Sequence, residues 1–257
     1  LVQETALSLD QTRVELRLGD EDGDEPCFVR DRLNSLFHQA SALALAMALS
    51  GDSSPSALPR ICVLGGGGMA LPMALLTALP SLEATVVERD AAATRLARRF
   101  FGAGTLTQGS QERLQVIEAD ALSFIVKGLV PQDTSMLSVD IDFLRGAPEP
   151  PAELMSTEFW AAAWRAVHHR GLVCINAIGA SPALVDTLAH AALAGAGFGT
   201  SSLIGAWDGA GSLVGAGSRA HGLVAGALEP AGSAERSTWS PFVPRPSALV
   251  IGHQELL

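Results

Sequence analysis

Ile61-Cys62-Val63-Leu64-Gly65-Gly66-Gly67-Gly68-Met69-Ala70 is the stretch on which the fold turns. Four apolar residues read as a buried strand, and the apolar residues from Met69 onward open a helix. The four glycines between them form a turn in which no Cβ keeps a ligand from the backbone. A strand that runs through such a turn into a helix offers unpaired helix N–H groups to the polar part of a ligand. Roughly 20 residues farther on, Val86-Val87-Glu88 ends a second apolar run on a carboxylate. That is where a nucleoside-binding fold accepts hydrogen bonds from ribose hydroxyls. Turn and acid together predict a nucleoside-binding crevice built on Gly65, Gly66, Gly67 and Glu88. A tight turn of purely structural purpose is the plainer alternative.

Outward from this pair, short apolar runs alternate with helical stretches. Strands are predicted at 60–64, 83–88, 114–117, 136–140 and 171–178, with helices at 69–79, 91–101, 121–127 and 157–168 between them. Continuous apolar strands in regular alternation with helices predict an α/β fold with a parallel sheet covered on both faces. A helix at 182–193 follows, and a final strand is expected at 247–251. Eleven of the 26 glycines fall between 195 and 232, where only weak strands and loops are legible. On the N-terminal side, the Ser/Pro/Gly-rich stretch 51–59 reads as a linker, preceded by an Ala/Leu-rich helix at 34–49. Before that, 13–18 and 27–29 flank the acidic turn 19–25 and suggest a β-hairpin. The expected organisation is therefore a hairpin-and-helix unit over 1–55 and a ligand-binding core over 56–257, with a glycine-rich insert at about 200–240.

Composition narrows the function classes. Of 257 residues, 48% are hydrophobic and 17% charged, which suits a packed globular chain. Lys+Arg 17 against Asp+Glu 27 gives a net charge of −10, which argues against binding nucleic acid or an anionic membrane. Nine acids and four arginines in the first fifty residues carry half of that charge, and their acidic turn reads either as a solvated hairpin tip or as a docking surface for a basic partner. The charge-free stretches 61–82 and 187–207 are broken by glycine or proline and do not read as membrane helices. Three cysteines without short spacing form neither a disulfide framework nor a zinc site, and point to a reducing, cytoplasmic compartment. Tyrosine is absent altogether, which excludes any mechanism that needs one.

The ligand is narrowed by the third strand. Gly65-x-Gly67-x-x-Ala70 satisfies the dinucleotide fingerprint, so an NAD(P)-dependent oxidoreductase is one reading. Gln115-Val116-Ile117-Glu118-Ala119-Asp120-Ala121, however, ends in an acid followed by a small residue. An acid there can receive an adenine amino group, as in enzymes that use S-adenosylmethionine; alternatively, Asp120 is the N-cap of the next helix.

The order of motifs resembles one family. The glycine loop, Val87-Glu88-Arg89-Asp90, Ala97-Arg98-Arg99-Phe100-Phe101-Gly102, Arg113-Leu114-Gln115-Val116 and Asp120-Ala121 look like the spermidine-synthase-like branch of class I methyltransferases. Within it they resemble the methyltransferases that modify a lysine and the N-terminus of translation elongation factor 1A. Ser138-Val139-Asp140-Ile141-Asp142, Pro150-Pro151-Ala152-Glu153-Leu154 and Gly171-Leu172-Val173-Cys174-Ile175-Asn176 add support, as do the hairpin and the His38-bearing helix. The resemblance covers about 11–198, with a terminal strand near 248–253. It implies a Rossmann-like, seven-stranded, mostly parallel sheet with helices on both faces and an N-terminal β-hairpin. It implies S-adenosylmethionine as cofactor, held by Gly65, Gly66, Gly67, Glu88, Arg89, Asp120, Ala121 and Asp140. It also implies a protein acceptor such as elongation factor 1A, with Asp140 at the reaction centre and Asn176 lining the acceptor pocket. A homodimer is a further expectation.

Chemistry and departures from the family complete the reading. Methyl transfer from a sulfonium is an in-line displacement that needs orientation and a neutral nucleophile rather than a metal. Aminopropyl transfer is disfavoured, because the enzymes that perform it are expected to use tyrosines and a second acid three residues after the first, where Phe143 stands. Met69 occupies a place where the family carries glycine. Its side chain either crowds the cofactor, leaving an inactive methyltransferase-like scaffold, or points into the sheet. His168 and His169 read as solvated residues at a helix end rather than metal ligands, and His38 as core or pocket rim.

Overall fold

The computed structural model describes residues 15–17, 27–30, 32–33, 36–50, 58–140, 152–176, 182–195, 221–222, 248–252 and 254–255. The chain lays down β1 (Glu15–Arg17), β2 (Cys27–Val29), α1 (Leu36–Ser50), β3 (Arg60–Leu64), α2 (Ala70–Ala78), β4 (Glu83–Glu88) and α3 (Ala91–Phe100). Then come α4 (Gln108–Glu112), β5 (Leu114–Glu118), α5 (Ala121–Val126), β6 (Thr134–Val139), α6 (Thr157–Ala166), β7 (Val167–Asn176) and α7 (Pro182–Gly195). Three short strands end the described chain: β8 (His221–Gly222), β9 (Ala248–Gly252) and β10 (Gln254–Glu255).

The central sheet runs β5-β4-β3-β6-β7-β9. Its first five strands are parallel, and β9 joins β7 antiparallel with Asn176 opposite Ala248. The α/β architecture with a largely parallel sheet is thus present. Six strands are described where seven were expected; of 196–247, only β8 is described, and it pairs with β10 instead. β1 and β2 pair antiparallel, Leu16 opposite Phe28, while the turn expected between them lies outside the described residues.

Alternation along the strands sorts the core into two layers. Ile61, Val63, Val86, Met136 and Cys174 face α1 and α2 through Leu45, Leu71 and Met73. Cys62, Leu64, Leu137, Val139 and Val173 face the opposite side, where Phe124, Phe159, Trp160 and Leu188 close over them. Both faces of β3 and β6 are buried; β3 is accordingly apolar without a break from Ile61 to Leu64, whereas β6 carries Thr134, Ser135 and Ser138 among its apolar residues.

One expectation is overturned. His168 and His169 do not end a helix: α6 stops at Ala166, Val167 is already extended with φ −84° and ψ 137°, and both histidines belong to β7. The reason is tertiary. Thr134 at the start of β6 pairs with Val167, and a register irregularity before Met136–Leu172 makes room for the early start of β7.

Strand order also locates the crevice. From central β3 the chain adds β4 and β5 on one side, then crosses to place β6 and β7 on the other. The direction reverses between β3 and β6, and ligands of open α/β sheets bind beyond the carboxyl ends of strands at such a switch point.

Candidate functional site

Three hydrogen bonds beyond the strand ends fix the floor of the crevice. Gly65 N–H donates to Val87 O at 2.9 Å, Asp140 N–H to Leu64 O at 2.8 Å, and Ala119 N–H to Glu88 O at 3.2 Å. The ends of β3, β4, β5 and β6 are therefore held together, carrying the glycine loop, Glu88, Asp120 and Asp140 respectively.

The loop is built around the Glu88 carboxylate. Oε2 accepts from the N–H groups of Gly66 at 3.0 Å and Gly67 at 3.1 Å, and Oε1 accepts from Asp90 N–H at 2.8 Å. Glu88 thus pins the loop to the β4–α3 turn; the spacing of the motifs pointed to ribose and not to this brace. A Cβ at position 66 would lie 2.5 Å from Val86 Cγ1, so the loop reaches this close approach only with glycine there. A carboxylate has about four lone-pair sites, so three backbone donors leave room for roughly one further bond.

Met69 is turned inward. It takes φ 61° and ψ 23°, left-handed backbone that disfavours a side chain, immediately before α2. Its side chain is only 1% exposed and packs with Leu45, Ile61 and Val63. It therefore lies under the sheet face and not over the mouth of the loop.

Asp120 is the N-cap of α5, with Oδ1 accepting from Ser123 N–H at 2.8 Å. That bond, chiefly, holds its carboxyl below the usual aspartate range; partial burial opposes the shift, and Arg89 and Lys127 add weaker attraction. Arg89 is exposed, and Ala121 is half-buried against the core layer of Phe124. Asn176 ends β7; since Val139 pairs with Ile175, it stands level with Asp140 one strand away. Asp142 lies outside the described residues.

The contact that reading along the chain missed joins His38 to Asp140. Nε2 of His38 lies 3.3 Å from Asp140 Oδ2, across 102 residues of sequence. The imidazole is almost fully buried under α1, and the Asp140 side chain keeps 19% of its surface exposed at the crevice. In the sequence His38 is a histidine in a helix ahead of the core; only the docking of α1 against β6 and β7 brings it to the site.

The comparisons sharpen the fold. No protein-family model matches the chain, and no curated protein does either. The structure of human methyltransferase-like protein 13 in complex with SAH superposes with a TM-score of 0.50 at 21% identity, over 61% of this chain and 71% of that one. The fold is that of the class I methyltransferases. Spermidine synthase from Thermotoga maritima (TM-score 0.46, 16% identity) and a probable spermidine synthase from Corynebacterium glutamicum (0.46, 20%) also match. Those matches span 61% and 63% of this chain but only 50% and 60% of the two synthases.

Proposed function

We propose that the chain is an S-adenosylmethionine-dependent methyltransferase acting on a protein amine, with an elongation factor 1A-like acceptor. The observation that carries this reading is the meeting of the glycine loop, Glu88, Asp120 and Asp140 at the switch point of a class I methyltransferase fold. The loop fits the cofactor: it has no side chain at 65–68 to fill the crevice, and Met69 is folded into the core. Gly65, Gly66 and Gly67 would face the methionine part, Glu88 and Arg89 the ribose, and Asp120 and Ala121 the adenine. When bound, the cofactor supplies an electrophilic methyl group on a sulfonium.

The chain's own work is to orient an amine and remove its proton. The Asp140 carboxylate would bind an ammonium reaching the crevice and accept its proton, which would leave the nitrogen lone pair free and aimed at the methyl group that the bound cofactor would supply. Orientation of this kind is worth about 7–11 kcal/mol of barrier. Asn176, level with Asp140, would line the acceptor pocket. The cytoplasm as compartment and a homodimer remain parts of the same proposal.

Calorimetry with S-adenosylhomocysteine tests it. Binding in the micromolar range is expected, with loss of at least tenfold in Glu88→Ala. A second reading is favoured by the engagement of Glu88 with three backbone N–H groups: a methyltransferase-like scaffold that binds no cofactor. No heat with S-adenosylhomocysteine or S-adenosylmethionine supports the scaffold. Heat with NAD instead supports the oxidoreductase, and turnover of decarboxylated S-adenosylmethionine with putrescine the aminopropyltransferase.

A further inference from the structure

α1 does more than cover the sheet. His38 and Ser41, three residues apart, share one helical face, and Ser138 and Asp140, two apart, share one sheet face. Met136 lies on that same sheet face with Leu45 of α1, so the two polar pairs confront each other across one interface. Ser41 and Ser138 are fully buried, and neither hydroxyl has a hydrogen-bond partner among the described residues. Ser41 lies close enough to the Cys174 thiol to oppose, weakly, the effect of burial on it, yet without hydrogen-bond geometry. Buried hydroxyls without partners weigh against stability, and a purely structural seam here would be apolar. A strip of polar groups leading to a half-open carboxylate has instead the make-up of a functional site.

We infer that His38 is the positioning residue for Asp140, donating its Nε2–H to Oδ2 so that the carboxylate faces an incoming primary amine. The inference rests on the methyltransferase reading and deepens it by naming the acceptor class. His38 is nearly enclosed and held by α1, so the direction it imposes on Asp140 is fixed before any acceptor arrives. The imidazole touches neither the amine nor the methyl group. Its effect passes through the carboxylate, which binds the ammonium and takes its proton.

The experiment uses the full chain, loaded with S-adenosylhomocysteine and ring-15N-histidine labelled, with glycinamide as the amine probe. His38→Ala, His38→Gln and Asp140→Asn are compared with wild type. Expected are a saturable glycinamide-dependent shift of the His38 ring nitrogens in wild type and its absence in Asp140→Asn. Glycinamide affinity should fall about tenfold or more in His38→Ala, as loss of a charge-assisted hydrogen bond allows. It should recover within about threefold in His38→Gln, whose amide N–H also donates. S-adenosylhomocysteine affinity should stay within about threefold of wild type in His38→Ala and His38→Gln, since His38 lies behind Asp140 and is not among the residues proposed to hold the cofactor. A His38 ring indifferent to glycinamide, or His38→Ala binding it like wild type, overturns the inference. Should His38→Ala prove unfolded by circular dichroism, His38→Gln and the wild-type ring shift decide alone. Failure of wild type to bind S-adenosylhomocysteine is the separate result that removes the reading beneath it.

Discussion

At Met69, two effects of opposite sign meet in one residue. Left-handed backbone costs a side chain about 1–2 kcal/mol relative to glycine. Burial of the methionine side chain contributes more, since truncating such a residue to alanine costs about 2–5 kcal/mol. Packing wins, and the residue stays despite its φ of 61°. Met69→Gly should therefore destabilise the protein by about 1–3 kcal/mol in urea unfolding, while Met69→Ala, which keeps the strain and loses the packing, should be worse. Equal or greater stability in Met69→Gly would show that strain dominates. The presence of a methionine at this position was legible in the sequence, but the direction of its side chain was not: backbone conformation and packing with Leu45, a residue of another element, decide it.

Among the elements, α5 shows directly one of the two readings of Asp120, the N-cap. Asp120 caps the helix through Ser123 N–H and also stands at the end of β5 beside the crevice. Removing the cap in Asp120→Ala should cost about 1 kcal/mol near neutral pH. The pH dependence follows from the lowered carboxyl value. A group with a depressed folded pKa stabilises above its unfolded value, about 3.9, and that contribution vanishes as pH falls through the folded value. Urea titrations should therefore show wild type and Asp120→Ala converging below about pH 4; a constant difference down to pH 2 would contradict the capping role. Elsewhere the legible elements were those with strong local periodicity, β3, β4 and α3 among them. The start of β7 was illegible because pairing of Val167 with Thr134, not local preference, draws His168 and His169 into the strand. The Arg113 guanidinium donates to Leu76 O at 2.9 Å, Leu79 O at 3.1 Å and Leu82 O at 2.7 Å. It thereby ties the end of α2 to the turn before β4, through contacts that no local pattern announces.

Across the whole molecule, the two core layers on either side of the sheet bury one thiol each. Burial pushes Cys62 and Cys174 up to about 12, so neither is a thiolate at physiological pH. Their alkylation by iodoacetamide at pH 8 should track global unfolding in a urea series, coinciding with the circular-dichroism transition. Labelling of either residue well before that transition would mean that the sheet opens locally. No helix among the described residues is long and apolar enough to cross a membrane.

The sequence by itself determined the parallel sheet, the glycine loop and the acid that ends β4, because each follows from periodicity and spacing within about thirty residues. Tertiary structure alone decided that Glu88 braces the loop, that Met69 faces inward and that His38 reaches Asp140. Those outcomes depend on contacts between elements as many as 102 residues apart, and for Met69 and His38 the burial of α1 against the sheet supplies the free energy that selects them.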